Sequence, residues 1–221
     1  MDSLTTLREQ IASDLLEIGA VSLRPNDPFT WASGLRSPVY CDNRLTLAHP
    51  AVRSRVTAGY EELIGRGGYA PDLVAGVATA GIPQAALVAD RRGLPLAYVR
   101  SAAKGHGKGN RIEGRVKAGQ RVVIIEDLIS TGGSSVAAAE ALREAGAEPV
   151  VVLATFAYGL VEATQRFEEA GLAYATLTDF ATLIRVAERV GVIEPSSLGT
   201  LRDWRADPAA WSEKHPGGGG S

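Results

Sequence analysis

Two acids and a run of small residues stand side by side in the segment RVVIIEDLISTGGSS, residues 121–135. Glu126 and Asp127 offer acceptors that suit a pair of vicinal hydroxyls, as an acid does for ribose in dinucleotide-binding sheets. The phosphate turn, our name for residues 130–134, leads into a predicted helix, where backbone N–H groups and the helix dipole favour an anion. Its two glycines let the anion approach the backbone closely. The segment therefore predicts a site for a ribose 5-phosphate group.

Each half of this segment also has an ordinary structural explanation. Paired acids after a strand are often solvated, and Gly-Gly-Ser before a helix often forms only a turn and a cap. The two halves in this order, directly after an apolar strand, favour the binding site. The turn contains no lysine, so it is not the phosphate loop of nucleoside triphosphatases, and the GxGxxG motif is absent.

A second segment with possible chemistry is the lid, our name for residues 100–117, RSAAKGHGKGNRIEGRVK. It carries six Lys or Arg residues and His106 against one acid, Glu113. Long loops without regular structure are usually functional or disordered. The charge of the lid suits a highly anionic group that arrives and leaves, such as pyrophosphate, and the simpler alternative is a solvated surface loop.

The elements that must position these segments alternate along the chain. Apolar strands are predicted at residues 73–77, 95–99, 121–126, 149–156 and 173–178, with helices near 83–92, 134–145 and 160–170. Short apolar strands that alternate with helices predict an α/β fold with a parallel sheet covered on both faces. Ligands in such sheets bind beyond the carboxyl ends of the strands, where both segments lie. Before the first of these strands, the pattern predicts a helix at 3–18, a hairpin at 29–44 and a helix at 50–66.

Composition narrows the class of protein. The chain has 221 residues, a net charge of −2 and a pI of about 6.0, so the overall charge points to neither a nucleic acid nor a membrane partner. The single cysteine, Cys41, excludes an intrachain disulfide and fits a reducing compartment, so we expect a cytoplasmic protein. We predict a helical packing region at residues 178–211 and a flexible tail at 212–221, which ends in GGGGS.

The segment VVIIEDLISTGGSS closely resembles the motif by which type I phosphoribosyltransferases bind phosphoribosyl pyrophosphate (PRPP). In that family, the two acids contact the ribose hydroxyls and the following loop holds the 5-phosphate. The resemblance implies the family's fold, a central parallel sheet flanked by helices with a small N-terminal hood. It also implies PRPP contacts at Glu126, Asp127, Leu128, Ile129, Ser130, Thr131, Gly132, Gly133 and Ser134.

Two further segments narrow this resemblance to the orotate phosphoribosyltransferases. The lid resembles their catalytic loop, in which an Arg, a Lys and a His-Gly bind the pyrophosphate of PRPP. In that family the loop typically reaches into the active site of the neighbouring subunit. By position, these residues correspond to Arg100, Lys104 and His106. Lys104 and His106 are the implied catalytic residues. The hood, residues 29–44 (FTWASGLRSPVYCDNR), resembles the segment that covers the base in that family.

The resemblance implies that orotate and PRPP give orotidine 5′-monophosphate and pyrophosphate, a step towards UMP, in a homodimer with Mg²⁺ bound through PRPP and water. We expect an N-terminal helix and hood at 1–45 and a PRPP-binding core at 46–211. Two alternatives are a transferase for another base, such as a purine, and a PRPP-sensing regulator without catalysis. The sequences of the hood and the lid argue against a transferase for another base. The few residues before the hood speak against the DNA-binding domain that such regulators usually carry.

The chain departs from the enteric branch of this family at several positions. Lysines that contact PRPP in that branch are replaced by Ala32, Ala80 and Ser101, and a basic residue that contacts orotate is replaced by Tyr158. Ser130 is the implied hydrogen-bonding partner of the orotate ring. The cation that neutralises the orotate carboxylate stays open, with Arg36 and Arg44 as the two candidates.

Overall fold

The computed structural model describes residues 3–31, 33–101 and 111–215. The N-terminal elements are α1 (Ser3–Glu17), β1 (Val21–Leu23), β2 (Phe29–Thr30), β3 (Arg36–Ser37), β4 (Val39–Cys41), a 3-10 helix (Asn43–Ala48) and α2 (Pro50–Arg66). Strands β2 and β3 form the predicted hairpin, with Thr30 opposite Arg36. Strand β4 leaves this hairpin and pairs with β1 instead.

The core elements that follow alternate as the sequence predicts. They are β5 (Leu73–Val77), α3 (Gly81–Arg92), β6 (Leu96–Val99), β7 (Ile112–Gly114), β8 (Arg121–Ile129), α4 (Gly133–Glu144), β9 (Glu148–Ala157), α5 (Val161–Glu169) and β10 (Tyr174–Asp179). In the described part of the chain these strands form a six-stranded sheet of order β10-β9-β8-β5-β6-β7, parallel throughout except for β7. The predicted fold class is confirmed.

Side chains of β8 are buried alternately on the two faces of this sheet. Val123 and Ile125 face α1, α2 and α3, whereas Val122 and Ile124 face α4 and α5. All four are fully buried. Both faces of a parallel strand are covered in this fold class, which explains why the strand is continuously apolar.

Two strand predictions differ from the structure. Strand β8 does not stop at the acids but continues through both of them to Ile129, because β9 is long enough to pair with it as far as Ala157. The lid also contains β7, which pairs antiparallel with β6 and buries Ile112. The end of β8 and the whole of β7 were not predicted because their segments are rich in polar residues.

Three α-helices and a 3-10 helix (Pro195–Ser197) complete the described part of the chain. The α-helices are α6 (Phe180–Arg189), α7 (Leu198–Ala206) and α8 (Pro208–Lys214). Helix α8 is stabilised by an N-cap, in which the Asp207 carboxylate accepts a hydrogen bond from the backbone N–H of Ala210, and by the buried Trp211. The prediction that a flexible tail begins at residue 212 is therefore wrong, because residues 212–214 belong to this helix. None of the helices in the described ranges is both long and apolar enough to cross a membrane.

Candidate active site

The phosphate turn joins the carboxyl end of β8 to the start of α4. Gly132 has a φ of +78°, a left-handed conformation that favours glycine. A Cβ atom on Gly132 would lie 3.0 Å from the Phe167 ring, and one on Gly133 would lie 3.1 Å from the Arg166 guanidinium. A side chain at either position would be crowded, and at Gly132 the left-handed conformation disfavours it as well. Arg166 of α5 also donates a 2.7 Å hydrogen bond to the Thr131 carbonyl, which places a cation beside the turn.

The Glu126 side chain is buried beneath this turn. Its Oε2 accepts hydrogen bonds from the hydroxyls of Ser134 (3.1 Å) and Ser135 (3.3 Å), and its Oε1 accepts one from the backbone N–H of Asp127. Burial, and then the neighbouring Asp127, raise the pKa of Glu126 to about 8. The first acid of the pair therefore connects β8 to the start of α4.

Asp127 is less buried than its neighbour, and two residues outside the motif hold this part of the strand. Burial raises the pKa of the Asp127 carboxyl. The Asn43 amide donates a 2.7 Å hydrogen bond to the Asp127 carbonyl, and the fully buried Tyr60 donates a 2.8 Å hydrogen bond to the Glu126 carbonyl. Sequence reasoning assigned no role to Asn43 or Tyr60, although Asn43 lies in the segment quoted for the hood.

A cavity of about 490 Å³ lies between the hood and the sheet edge. Its walls come from the hood and from the carboxyl ends of β8 and β9, namely Thr30, Trp31, Tyr40, Cys41, Leu128, Ser130 and Tyr158. The Trp31 and Tyr158 rings lie 5.6 Å apart, so that the cavity is aromatic on the side facing β9. We call it the base cavity, because its flat, mostly apolar lining suits a planar heterocycle. Ser130 belongs both to this cavity and to the phosphate turn.

A second cavity of about 150 Å³ connects the lid to the phosphate turn. Its lining includes Arg100 and Ser101 from the start of the lid, Arg111 from within it, and Ser134 from the turn. The Arg100 guanidinium lies 3.6 Å from the Glu113 carboxylate within the lid. Lys104 and His106, like Ala32 of the hood, lie outside the described residues. Of the three predicted lid residues, Arg100 is the one that the described structure brings to the turn.

The start of α3 lies beside the acid pair, beyond the carboxyl end of β5. Ala80 is the N-cap residue of this helix. The backbone of Gly81 lies so close to β8 that an added Cβ atom would meet the Ile125 carbonyl at 2.4 Å. Glycine therefore allows this helix to begin directly beside the acid pair.

Comparisons with known proteins agree with this geometry. The phosphoribosyl transferase domain family matches residues 46–170. The orotate phosphoribosyltransferase of Bacillus cytotoxicus is 53% identical over 207 residues, which cover 93% of this chain and 99% of that protein. The crystal structure of the Aeropyrum pernix orotate phosphoribosyltransferase has a TM-score of 0.72 and 32% identity, covering 83% of this chain and 99% of that chain. The Mycobacterium tuberculosis H37Rv enzyme in complex with PRPP has a TM-score of 0.63 and 25% identity, covering 80% and 98% of the two chains.

The sheet, the acid pair and the phosphate turn define a PRPP-dependent transferase of the phosphoribosyl transferase class. The likeness to the Bacillus protein covers nearly the whole length of both chains. The chain therefore belongs to the orotate phosphoribosyltransferase family.

Proposed function

We propose that this enzyme transfers the ribose 5-phosphate group of PRPP to orotate, giving orotidine 5′-monophosphate and pyrophosphate in pyrimidine biosynthesis. The observation that carries this proposal is the position of Ser130, which lines the base cavity and also begins the phosphate turn. A base in the cavity and a phosphate at the turn would lie at the two ends of one ribose. This is the arrangement that the reaction requires.

In this proposal the sugar phosphate binds at the carboxyl end of β8. Asp127 and Glu126 accept hydrogen bonds from the ribose hydroxyls, and residues 128–134 hold the 5-phosphate through backbone N–H groups and hydroxyls. Asp127 is the more accessible acid, since the Glu126 carboxylate is already bonded to Ser134 and Ser135. The Ser130 hydroxyl hydrogen-bonds to the orotate ring, and Trp31 and Tyr158 provide aromatic surface beside it.

Catalysis in this proposal depends on charge stabilisation and positioning. Cleavage of the bond between C1′ and pyrophosphate develops positive, oxocarbenium-like charge on the ribose and negative charge on the leaving group. Arg100, Lys104 and His106 stabilise the departing pyrophosphate, while the acid pair and the turn hold the sugar in line with the base. Closure of the lid excludes water, which would otherwise hydrolyse PRPP.

We also propose that Mg²⁺ accompanies PRPP and lowers the negative charge of its pyrophosphate. The carboxylate of Asp127 is an oxygen donor of the kind Mg²⁺ accepts, and Mg²⁺ usually keeps most of its ligands as phosphate and water oxygens. We therefore assign its ligands to PRPP and water.

A homodimer and a cytoplasmic location complete the proposal. The family resemblance places the lid in the active site of a neighbouring subunit, so a second copy would supply Lys104 and His106. The cytoplasmic location is in keeping with a step of pyrimidine biosynthesis. Sedimentation of the full chain tests the dimer directly.

One assay tests the proposed reaction. Protein, Mg²⁺, PRPP and orotate are mixed and the loss of orotate absorbance is followed, with hypoxanthine and adenine as control bases. Turnover of orotate alone supports the proposal. Turnover of a purine would make the protein a transferase for another base, and no turnover with any base would contradict catalysis.

A further inference from the structure

We propose that Arg36 binds the carboxylate of orotate and thereby sets the preference of the enzyme for an acidic base. This inference rests on the proposed function, because it concerns how the same base cavity selects its substrate.

The walls of the base cavity contain no charged side chain among the described residues. Their polar groups are the hydroxyls of Thr30, Ser130, Tyr40 and Tyr158 and the Cys41 thiol. Burial raises the pKa of Cys41 and of Tyr158, which keeps both groups uncharged at neutral pH. A carboxylate that enters this cavity loses water and needs a cation or several donors in exchange.

Arg36 lies at the rim of this cavity. It pairs with Thr30 across the hairpin, and its guanidinium donates a 2.8 Å hydrogen bond to the Thr30 hydroxyl, which is part of the cavity wall. A guanidinium has five N–H donors in a planar fork that matches a carboxylate. The Arg36 Nε atom is buried and has no hydrogen-bond partner in the described part of the chain, so the group is under-satisfied as it stands.

The backbone of Arg36 is also fixed, by the C-terminal end of the chain. Its N–H donates a 2.9 Å hydrogen bond to the Ser212 hydroxyl of α8. The neighbouring Trp31 packs edge-on against Trp204 of α7, with ring centroids 5.8 Å apart. An arginine held at its backbone and at its guanidinium loses little freedom when a ligand binds, which favours affinity.

The other arginines near the hood are committed to other contacts. Arg44 forms two hydrogen bonds, of 2.6 and 2.8 Å, with the Asp42 carboxylate and lowers the pKa of that acid. Arg24 lies over the Phe29 ring, 4.8 Å from its centroid, and 3.8 Å from the Asp27 carboxylate. Of the two candidates that the sequence left open, the contacts favour Arg36.

One further arginine lies close to Tyr158 but faces a different space. Arg205 lines a separate cavity of about 430 Å³, where the carboxyl ends of β9 and β10 meet α6, and Tyr158 forms part of the wall of both cavities. An ion pair of 2.7 Å between Arg8 and Asp179 occupies the same space. Arg205 is thus the rival that the experiment must separate from Arg36.

The experiment compares orotate with its neutral carboxamide. Wild-type enzyme and the variants Arg36→Gln, Arg36→Lys, Arg205→Gln and Arg24→Gln are assayed for the KM of orotate, the KM of PRPP and the inhibition constant of orotate carboxamide. Arg24→Gln is the matched control, since it removes an arginine just before the hood whose recorded contacts, with Phe29 and Asp27, lie outside the cavity wall. Unfolding midpoints identify any variant that folds poorly.

We expect Arg36→Gln to raise the KM of orotate about 10- to 100-fold, the range for a charge-assisted hydrogen bond. The KM of PRPP and the inhibition constant of the carboxamide should stay within about twofold, because the cavity itself is unchanged. The KM of Arg36→Lys for orotate should lie between those of the wild type and Arg36→Gln, since lysine keeps the charge but lacks the planar fork of donors. Arg24→Gln should match the wild type.

Three results would overturn the assignment. They are an unchanged orotate KM in Arg36→Gln, an equal loss for orotate and carboxamide, and a selective loss in Arg205→Gln instead. A wild-type enzyme that does not turn over orotate would refute the proposed function itself, and this result is distinct from the three that concern Arg36.

Discussion

The Ser134 hydroxyl donates a hydrogen bond of 3.1 Å to the Glu126 carboxylate, across the phosphate turn. This bond joins the first turn of α4 to the acid on β8. Ser135 adds a second bond of 3.3 Å to the same oxygen. The acid pair and the phosphate turn form one connected unit, so that a change in one is expected to be measurable in the other.

The first prediction concerns the pH dependence of stability. The pKa of Glu126 in the folded protein is raised to about 8, above its ordinary value of 4.5. The folded state therefore keeps a proton on Glu126 that the unfolded state releases above the ordinary pKa. The stability that this proton contributes is complete below the ordinary pKa and is lost as the pH rises through about 8. In Glu126→Gln the side chain does not titrate, so the wild type should lose stability relative to this variant, by up to about 1.4 kcal/mol per pH unit within this window.

Urea unfolding of the ligand-free proteins at several pH values measures this difference. Glu140→Gln, which changes an exposed acid on α4, serves as the control and should follow the wild type. Parallel stability curves for Glu126→Gln and the wild type would contradict the burial of a proton at Glu126.

The second prediction concerns the left-handed glycine of the phosphate turn. Gly132→Ala places a Cβ atom 3.0 Å from Phe167 at a φ of +78°, so we expect a loss of about 1–2 kcal/mol in the free energy of unfolding. The KM of PRPP should rise about tenfold or more, because the turn can no longer hold the phosphate in the same geometry. Denaturant unfolding and steady-state kinetics measure the two effects.

Gly191→Ala is the matched control for this variant. Gly191 has a similar φ of +74° but lies after α6, with open space where its Cβ atom would be. Its substitution should cost stability and leave the KM of PRPP unchanged. A rise in KM of the same size in both variants would attribute the effect to general destabilisation.

The third prediction concerns the cation beside the turn. Arg166→Gln removes the charge that holds the Thr131 carbonyl, so the KM of PRPP should rise about 2- to 10-fold with little change in kcat. Arg143→Gln is the control, because Arg143 makes a comparable exposed bond, of 3.0 Å, to the Ala170 carbonyl away from the turn. If both variants bind PRPP equally well, Arg166 does not support the site.

The fourth prediction tests the proposed lid. Lys104→Ala should lower kcat by about 100-fold or more with the fold intact, because one donor to the departing pyrophosphate is lost. Lys214→Ala removes an exposed lysine at the end of α8 and should keep wild-type turnover. Near-normal kcat in Lys104→Ala would count against a catalytic lid.

The sheet and the phosphate turn were predictable because their signals are local. A short apolar run made of β-branched residues, such as residues 122–125, favours a buried strand, and two glycines before a helix mark a close backbone approach. The continuation of β8 through Glu126 was not predictable, since it depends on pairing with β9, which lies later in the chain. In the same way, β7 depends on pairing with β6 and is hidden in a polar segment.

The contribution of the C-terminal helices was missed for a similar reason. The hydrogen bond between Arg36 and Ser212 joins residues 176 positions apart, and Trp204 touches the hood from an equally distant helix. Periodicity within α7 or α8 indicates only that these helices bury one face. Which partner that face meets is decided by the whole fold, so the sequence predicted packing there and no connection to the base cavity.

The hood depends on α8 and the acid pair on β8, and this separation affects how a change of substrate could evolve. The hood is held by the last helices of the chain, whereas the proposed sugar-phosphate site lies at the carboxyl end of β8 and the start of α4. Under the proposed function, a descendant enzyme that uses a different heterocycle would therefore need to change the hood and the helices that hold it. It could keep the sugar-phosphate site unchanged.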